Sequence, residues 1–473
     1  MAKSYDLVIL GGGTGGYVAA IRASQLGLKT AVVECGPLGG TCLHRGCIPS
    51  KALLRSAEVY ATVKDAEKYG VVTSGVTVDF GKAQERKNAI VNQLHNGVKY
   101  LLKKGKIDVY HGYGRLLGPS IFSPLAGAVS VEYENGQEND ILVPEHLIIA
   151  TGSRPRLLPG LESDGVQIIT SDEAVHLTEL PASILIVGGG VIGVEWASMF
   201  SDFGVSVTVL EYADRLVPTE DPDISAALKQ HLEKRGVKVV TSAKVLPETL
   251  KKGEQVAVEA EINGERQAFS AEKMLVSVGR APNTDDIGLD NTAVKTERGY
   301  IVTNAHYQTA ESHIYAIGDV IGGLQLAHVA MHEGIKAVEH IAGLATEPLD
   351  PTMVPRCIYT RPEAASIGLT EQEAKEKGYD VKVGKFSFKA IGKALVYGEA
   401  DGFVKIVQDK RTDDCLGVHM FGPHVTDMIS EAALARLLDA TPLEIAETIH
   451  PHPTLSEIMG EAALDVYGRA IHA

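Results

Sequence analysis

The chain has 473 residues, 45% hydrophobic and 22% charged, with a formal net charge of −15. That length holds two to four domains with large buried cores. The acidic balance argues against non-specific nucleic-acid binding and fits a well-solvated surface or a basic protein partner. No uninterrupted apolar run is long enough to span a bilayer, and Met1-Ala2-Lys3-Ser4 lacks the basic and apolar regions of a signal peptide. The expected location is therefore the cytoplasm, with neither a membrane nor a nucleic acid as partner. Five cysteines, Cys35, Cys42, Cys47, Cys357 and Cys415, are too few and too scattered for a secreted disulfide framework. In a reducing compartment, one close pair is more often catalytic than structural.

Residues 5–10 read as a buried parallel strand, followed by a glycine loop and a helix that Gly27 stops. Thr30–Glu34 is the second strand of this βαβ unit. Gly11, Gly13 and Gly16 supply the G-x-G-x-x-G spacing. The first glycine permits the turn, the second admits a pyrophosphate, and the third packs helix on strand. The helix N-terminus offers free N–H groups to the phosphates. Glu34 ends the second strand, where a carboxylate accepts ribose hydroxyls. A plain structural turn with an exposed Glu is the weaker reading, because strand, loop, helix and acid all fall in place.

Cys42 and Cys47 follow, in the run Gly-Gly-Thr-Cys-Leu-His-Arg-Gly-Cys-Ile-Pro-Ser-Lys. In a regular helix, Cα atoms five positions apart are about 8–9 Å distant. A disulfide wants them within about 7 Å. If the bond forms, this stretch is no undistorted helix. Gly46 and Pro49 fit a tightened turn that hands over to a helix from Ile48 to about Lys64. Two buried free cysteines are the alternative, and the glycine-rich, proline-bounded setting favours redox use. Lys51, four residues beyond Cys47, can lend positive charge to a flavin ring or a thiolate; otherwise it is an ordinary solvated lysine. Residues 83–105 read as a further helix.

The pattern restarts at 183–187 with a strand, a glycine loop (Gly188, Gly190, Gly193), a helix to about Phe203, and a strand ending at Glu211. Glu34 follows Gly11 by 23 positions, and Glu211 follows Gly188 by the same 23. The matched spacing argues for two copies of one fold unit. Glu211 would repel a 2′-phosphate, so NAD is expected over NADP; the nearby Arg215 weakens that slightly. Two strand-and-turn runs, 147–155 and 274–282, bracket the second unit and suggest that it is inserted into the first domain. The strand 314–317 with Gly318-Asp319 returns to the first domain. A Pro-containing linker at 348–355 leads to a separate α+β domain. It has strands near 364–369, 381–388, 402–408 and 414–420, and helices near 424–438 and 442–449.

The expected fold is α/β, with two Rossmann-like nucleotide-binding domains, the second inserted in the first, plus a C-terminal α+β domain. The expected boundaries are 1–150, 151–280, 281–346 and 347–473. In the last domain, His450-Pro451-His452-Pro453 alternates imidazoles with stiff prolines. An imidazole suits proton exchange with thiols, and Glu457, opening a helix, can orient it. A zinc site is a poor alternative without nearby cysteines, so no metal is expected. Asp319 and the helix opening at Gln325-Leu326-Ala327 are candidate flavin contacts. Cys35, Cys357 and Cys415 read as structural.

Taken together, Gly-Gly-Thr-Cys through Cys-Ile-Pro-Ser-Lys, Ala-Thr-Gly-Ser-Arg-Pro, Val-Gly-Arg-Ala-Pro-Asn, Ala-Ile-Gly-Asp and His-Pro-Thr-Leu-Ser-Glu resemble the pyridine nucleotide–disulfide oxidoreductase family over residues 4 to about 470. The nearest members oxidise protein-bound dihydrolipoyl groups as the flavoprotein component of 2-oxo acid dehydrogenase complexes. Many members read Asn-Val where this chain has His44-Arg45. The resemblance implies FAD, NAD as substrate, a Cys42–Cys47 redox disulfide and a homodimer formed through residues 355–473. It implies Cys42 as the interchange thiol, which exchanges with substrate, and Cys47 as the flavin-facing charge-transfer thiol. His452 would be the base, supplied by the other subunit, Glu457 its orienter, and Lys51 with Glu195 an ion pair beside the flavin. FAD contacts would be Gly11, Gly13, Gly16, Glu34, Thr41, Lys51, Gly114 in a Gly-Tyr-Gly turn, Thr151, Gly152, Ser153, Asp319, Leu326 and Ala327. NAD contacts would be Gly188, Gly190, Val191, Ile192, Gly193, Glu195, Glu211 and Gly279, with Val245, read as ending another strand, a weaker candidate. The implied partners are the lipoyl domain and the subunit-binding domain of an acyltransferase. The competitors are an NADPH-dependent glutathione-type reductase, disfavoured by Glu211, and a non-enzymatic nucleotide-binding redox sensor. A mercuric reductase is disfavoured because the C-terminus lacks a vicinal cysteine pair.

Overall fold

The computed structural model describes residues 2–119 and 126–473. In chain order, β1 (Ala2–Leu10) leads into α1 (Thr14–Gln25), and β2 (Thr30–Glu34) is followed by two helices in close succession, α2 (Gly40–His44) and α3 (Cys47–Lys64). After the helix Phe80–Lys104 comes β3 (Asp140–Ile149). The second βαβ unit is β4 (Ser183–Val187), α4 (Val191–Asp202) and β5 (Ser206–Leu210), continued by α5 (Pro222–Lys234) and β6 (Lys273–Val276). Further on lie α6 (Ala327–Ile341), β7 (Glu363–Gly368), β8 (Phe403–Asp409) and α7 (Glu457–Val466).

The chain folds as two units. The first takes the chain up to Ala52, Lys82–Arg156 and Arg280–Leu349; the second takes Leu53–Gly81, Leu157–Gly279 and Asp350–Ala473. In the first unit, β1 lies between β2 and β3, parallel to both, with Leu10 opposite Val33 and Ile149. Both faces of these strands are buried, so they read as unbroken apolar runs. Leu7, Ile9, Val32 and Ile148 pack against Ala19 and Ala23 of α1, while Val8, Leu10, Val33 and Ile149 pack against Val129 and Val131. The alternation follows from the two-residue period of a strand. β1 starts earlier than the apolar run suggests, because Ala2–Ser4 pair with Ile141–Val143 despite their exposure.

In the second unit, a parallel sheet runs in the order Lys238–Val240, β5, β4, β6, Ile168–Ile169. Val256, Val258 and Phe269 of an antiparallel three-stranded sheet pack with Leu185, Val187 and Met274. The same unit carries an antiparallel five-stranded sheet formed by residues 356–422. Helix α7 packs Ile458, Met459 and Ala462 into that sheet's core with Val404, Ile406 and Val418.

Two expected placements are corrected. Val245 does not end a strand of the parallel sheet; it is the third residue of Ala243–Lys251, in the antiparallel sheet, paired with Ala260. Gly114 is not in a turn but inside the strand Tyr113–Leu117. A Cβ there would lie 2.2 Å from Cδ1 of Leu10 and 3.0 Å from Cγ1 of Val33, so the glycine makes room for two buried side chains.

Candidate active site

The two glycine loops are built on the same plan. Gly11 has φ +108 and Gly188 φ +109, a region L side chains avoid. A Cβ on Gly16 would lie 1.9 Å from the carbonyl oxygen of Gly11, and one on Gly193 would lie 1.9 Å from that of Gly188. Only glycine lets each helix start against its strand. Glu34 Oε2 accepts the Gly12 N–H at 2.6 Å and Oε1 that of Gly36 at 2.7 Å. Glu211 repeats this with Gly189 at 2.5 Å and Ala213 at 2.6 Å.

The likeness extends past the acids. Leu38 packs over Gly12, and Leu216 packs over Gly189. The next N–H in each loop, Gly39 or Val217, donates to the carbonyl below, Gly12 at 2.8 Å or Gly189 at 2.9 Å. Spacing did not reveal this second layer, because Leu38 follows its acid by four residues and Leu216 by five. His44, where the chain departs from many relatives, is explained here. Its Nε2 lies 2.9 Å from the carbonyl of Leu38, which His95 Nδ1 also reaches at 3.0 Å. Burial lowers the His44 pKa and favours the neutral ring.

Helix α2 ends at His44 with Arg45 as its cap, and α3 begins at Cys47, so the cysteines flank a break in the helical backbone. Gly46 makes the break: a Cβ there would meet the carbonyl oxygen of Thr41 at 3.1 Å and Cα of Cys42 at 3.4 Å. Cys42 and Cys47 are thiols, hydrogen-bonded to one another. That hydrogen bond and burial push the Cys42 thiol strongly up, while the charge of Lys51 acts in the opposite sense. The pair therefore loses its first proton far more readily than its second. Cys47 opens α3, where the helix N-terminus favours a thiolate. Gly40 brings α2 against the first glycine loop, since a Cβ on it would lie 2.7 Å from Cα of Gly13. Thr41 follows Gly40 in that first turn. Of the other cysteines, Cys35 is exposed and Cys415 buried, its thiol pushed up to about 11 by burial.

The two strand-and-turn runs pair with each other: Ser153 lies opposite Pro282 and Pro155 opposite Arg280. Thr151 Oγ1 donates to the carbonyl of Asn283 at 2.7 Å, and Asn283 Nδ2 donates to that of Thr151 at 2.9 Å. The Ser153 hydroxyl donates to Asp319 Oδ2 and accepts from Arg280 Nε at 2.6 Å. Arg280 and Asn283 lie in the Val-Gly-Arg-Ala-Pro-Asn run, where spacing alone points to no role for either. Gly152 and Gly279 hold the two turns with φ +69 and +109. Leu326 caps α6, whose first turn starts at Ala327 and carries neither a side-chain cap nor an acid.

His452 and Glu457 meet in the second unit. His452 Nδ1 lies 2.9 Å from Glu457 Oε1, and Thr454 N–H donates to Oε2 at 2.9 Å. Burial would raise the Glu457 pKa, but the Thr454 amide and His452 bring it below the ordinary carboxylate range. The ionised carboxylate can only accept, so His452 Nδ1 is the donor of this bond. The imidazole is 79% exposed. His450 is instead tied to Glu431 at 2.7 Å, which raises its pKa. Lys51 belongs to the first unit and Glu195 to the second. Glu195 is buried and accepts the Tyr359 N–H at 3.0 Å. Arg215 donates to the carbonyl of Pro218 at 2.7 Å.

The family profile described as pyridine nucleotide-disulphide oxidoreductase matches residues 5–334, and that family's dimerisation domain matches residues 354–463. The chain belongs to this family. It is 68% identical to a Bacillus subtilis dihydrolipoyl dehydrogenase over the full length of both chains. It is 46% identical to a Rhizobium etli dihydrolipoyl dehydrogenase, again over 100% of each. The crystal structure of LpdA from Mycobacterium tuberculosis superposes with a TM-score of 0.88 at 26% identity, covering 97% of this chain and 98% of that one.

As a member of the pyridine nucleotide–disulphide oxidoreductases, the chain uses FAD and NAD, and its dimerisation domain gives a homodimer. The residues present fit both nucleotides. Gly13 and Gly190 cap α1 and α4 with no side-chain hydrogen bond and no acid in the first turn, so the helix amides are left for a pyrophosphate. Nothing lies within 4 Å of a Cβ built on Gly190, which leaves open space at that helix end. Val191 is exposed and Ile192 half-buried in the first turn of α4. On the dimerisation domain, Leu437, Leu438 and Ile449 are exposed apolar side chains, the kind of surface a subunit covers. Among the described residues, no helix is long and apolar enough to cross a membrane.

Proposed function

We propose that this chain is a dihydrolipoyl dehydrogenase, oxidising protein-bound dihydrolipoamide and reducing NAD⁺. The observation that carries the reading is the thiol pair. Cys42 and Cys47 sit side by side across a helix break in which a Cβ on Gly46 would crowd Thr41 and Cys42, with Lys51 at hand and the first glycine loop packed against α2. The 68% identity to a dihydrolipoyl dehydrogenase supports the choice of substrate. Glu211, accepting two backbone N–H groups, disfavours a 2′-phosphate and with it an NADPH-dependent glutathione-type reductase.

In the oxidised enzyme the pair is a disulfide. His452 Nε2 takes the proton of one substrate thiol, with Glu457 holding the resulting imidazolium. The substrate thiolate attacks Cys42 Sγ; the Cys42–Cys47 bond breaks and Cys47 leaves as a thiolate. The second substrate thiol displaces Cys42 and its proton passes to the departing Cys42 thiolate, closing the lipoyl disulfide and leaving both cysteines reduced. Lys51 and the N-terminus of α3 hold the charge on Cys47. FAD, when bound, carries the two electrons from the pair to NAD⁺.

In this reading the partner subunit of the homodimer supplies the imidazole, and Lys51 pairs with Glu195 beside the flavin. FAD lies along Gly11, Gly13, Gly16, Glu34, Thr41, Gly114, Thr151, Gly152, Ser153, Asp319, Leu326 and Ala327. NAD lies along Gly188, Gly190, Val191, Ile192, Gly193, Glu211 and Gly279; Val245 is the weakest of this group. The domain division at 150/151, 280/281 and 346/347, a cytoplasmic location, and docking to the lipoyl and subunit-binding domains of an acyltransferase complete the proposal. The net charge of −15 suits a basic docking domain. Anaerobic titration with dihydrolipoamide tests the core of it. A long-wavelength thiolate-to-flavin band is expected at two-electron reduction, followed by NADH formation on adding NAD⁺. Absence of both would overturn the reading.

A further inference from the structure

Val217 is buried and has φ +40, a backbone conformation that a β-branched residue adopts only under constraint. At the same place in the first loop stands Gly39, with φ +105. Something must hold the second loop where the first needs no help. The Val217 N–H is tied to the carbonyl of Gly189, and its own carbonyl accepts the Glu220 N–H at 2.9 Å. Glu220 is 3% exposed and Asp221 fully buried. Among the described residues, neither acid has an ion-pair partner in its own βαβ unit, where Asp221 caps α5 by accepting the Asp223 N–H at 3.0 Å.

The counter-charges come from the dimerisation domain. Arg356 Nε donates to Glu220 Oε1 at 3.1 Å, and the Ser366 hydroxyl of β7 donates to Oε2 at 2.5 Å. Lys405 of β8, only 5% exposed, lies 3.1 Å from Asp221, 3.1 Å from Asp223 and 3.0 Å from Glu371. The neighbouring segment grips α4 as well: Arg361 N–H donates to Ser198 Oγ at 3.0 Å, and the Arg361 guanidinium pairs with the buried Asp202 at 2.6 Å. Buried ion pairs are poor sources of stability, because desolvation offsets their attraction; fixing register is their better-attested use. Here they fix a strained loop whose Leu216 lies on Gly189.

We propose that Arg356, Ser366 and Lys405 of the dimerisation domain are positioning residues for NAD⁺, holding through Glu220 and Asp221 the loop that closes over Gly189 and Glu211. The inference rests on reading Gly188–Glu211 as the NAD site. When the anchor is cut, Val217 relaxes, Leu216 leaves Gly189, and the loop must be re-ordered each time NAD⁺ binds. The affinity for NAD⁺ falls, while the exchange at Cys42 and Cys47 is untouched.

The test uses the FAD-loaded homodimer and stopped-flow measurement of its two half-reactions. Ser366→Ala removes one hydroxyl and no charge; Glu220→Gln removes the charge. Each is expected to raise the KM for NAD⁺ about 3- to 10-fold, the split that marks lost binding, with reduction by dihydrolipoamide within about twofold of wild type. The double variant is expected to be no worse than Glu220→Gln alone, because both act on one contact. Where Glu220→Gln does not yield folded protein, Ser366→Ala decides. Glu211→Gln is the control. If it raises the KM for NAD⁺ and Ser366→Ala does not, the positioning role is wrong. If Glu211→Gln leaves that KM unchanged, the site reading beneath it is wrong. A loss of FAD and of both half-reactions together in Ser366→Ala would mark a merely structural contact and also overturn the proposal.

Discussion

Glu211→Gln gives the sharpest single test of the nucleotide assignment. Both carboxylate oxygens already accept backbone N–H groups, from Gly189 at 2.5 Å and Ala213 at 2.6 Å, and the side chain is buried at 9% exposure. Their remaining lone pairs are the ones a ribose diol would use. A glutamine keeps one acceptor and turns an NH₂ group toward the second amide, which loses its partner. A hydrogen bond to a charged group contributes about 1.5–3 kcal/mol, which is roughly a 10- to 150-fold change in equilibrium. The kcat/KM for NAD⁺ is expected to fall within that range, while NADP⁺, relieved of a charge facing its 2′-phosphate, falls less. Steady-state rates with dihydrolipoamide and each nucleotide measure both numbers. An unchanged NAD⁺ value, or equal losses for NAD⁺ and NADP⁺, would refute the reasoning.

Four other outcomes are expected. His452→Gln lowers dihydrolipoamide turnover by about 10²- to 10⁴-fold, the usual worth of a positioned base, with the flavin spectrum intact; full activity would remove the base. Cys42→Ser abolishes dihydrolipoamide turnover but leaves FAD bound and Cys47 able to ionise, read as retention of a long-wavelength band. Gly193→Ala, which places a Cβ 1.9 Å from the Gly188 carbonyl oxygen, is expected to abolish NAD⁺ turnover, checked by NADH binding, while the first loop keeps its flavin. Glu333, buried behind the N–H of Gly318 at 2.6 Å and near Asp319, has its pKa raised to about 7, chiefly by burial. Between its ordinary value and about 7, the folded chain keeps a proton that the unfolded chain has released, so stability falls as pH rises through that window and levels off above it. The total is about 3 kcal/mol. Glu333→Gln should flatten that slope in thermal melts taken across the window; an unchanged slope would count against it.

Much of this was readable before any coordinates, and for physical reasons. The glycine positions and the acids at 34 and 211 are forced by backbone geometry, and spacing records that geometry directly. Cys42, Gly46, Cys47 and Pro49 likewise dictate a broken helix, and the break falls between Arg45 and Cys47. What spacing misses is anything set by the partner across a fold. Leu38 and Leu216 occupy the same place at different offsets. Glu220, Asp221 and Lys405 look like solvated charges until the sheet of the dimerisation domain buries them. Gly114 was misread because glycine is usually a turn signal, whereas here it makes room for Leu10 inside a strand. Val245 was misplaced because Ala243–Lys251 follows the parallel strand Lys238–Val240 after only two residues.

The short path from His452 to Glu457 has one more consequence. Imidazole and carboxylate are carried on six consecutive residues and locked by the Thr454 amide. They travel as a cassette. If the partner subunit supplies the imidazole as proposed, a mixed dimer built from one chain lacking Cys42 and one lacking His452 would gather all its intact parts at a single centre and leave the other doubly crippled. Such hybrids should recover up to half the specific turnover of the parent dimer, although the Cys42 variant alone is inactive and the His452 variant alone keeps at most about one hundredth of the rate.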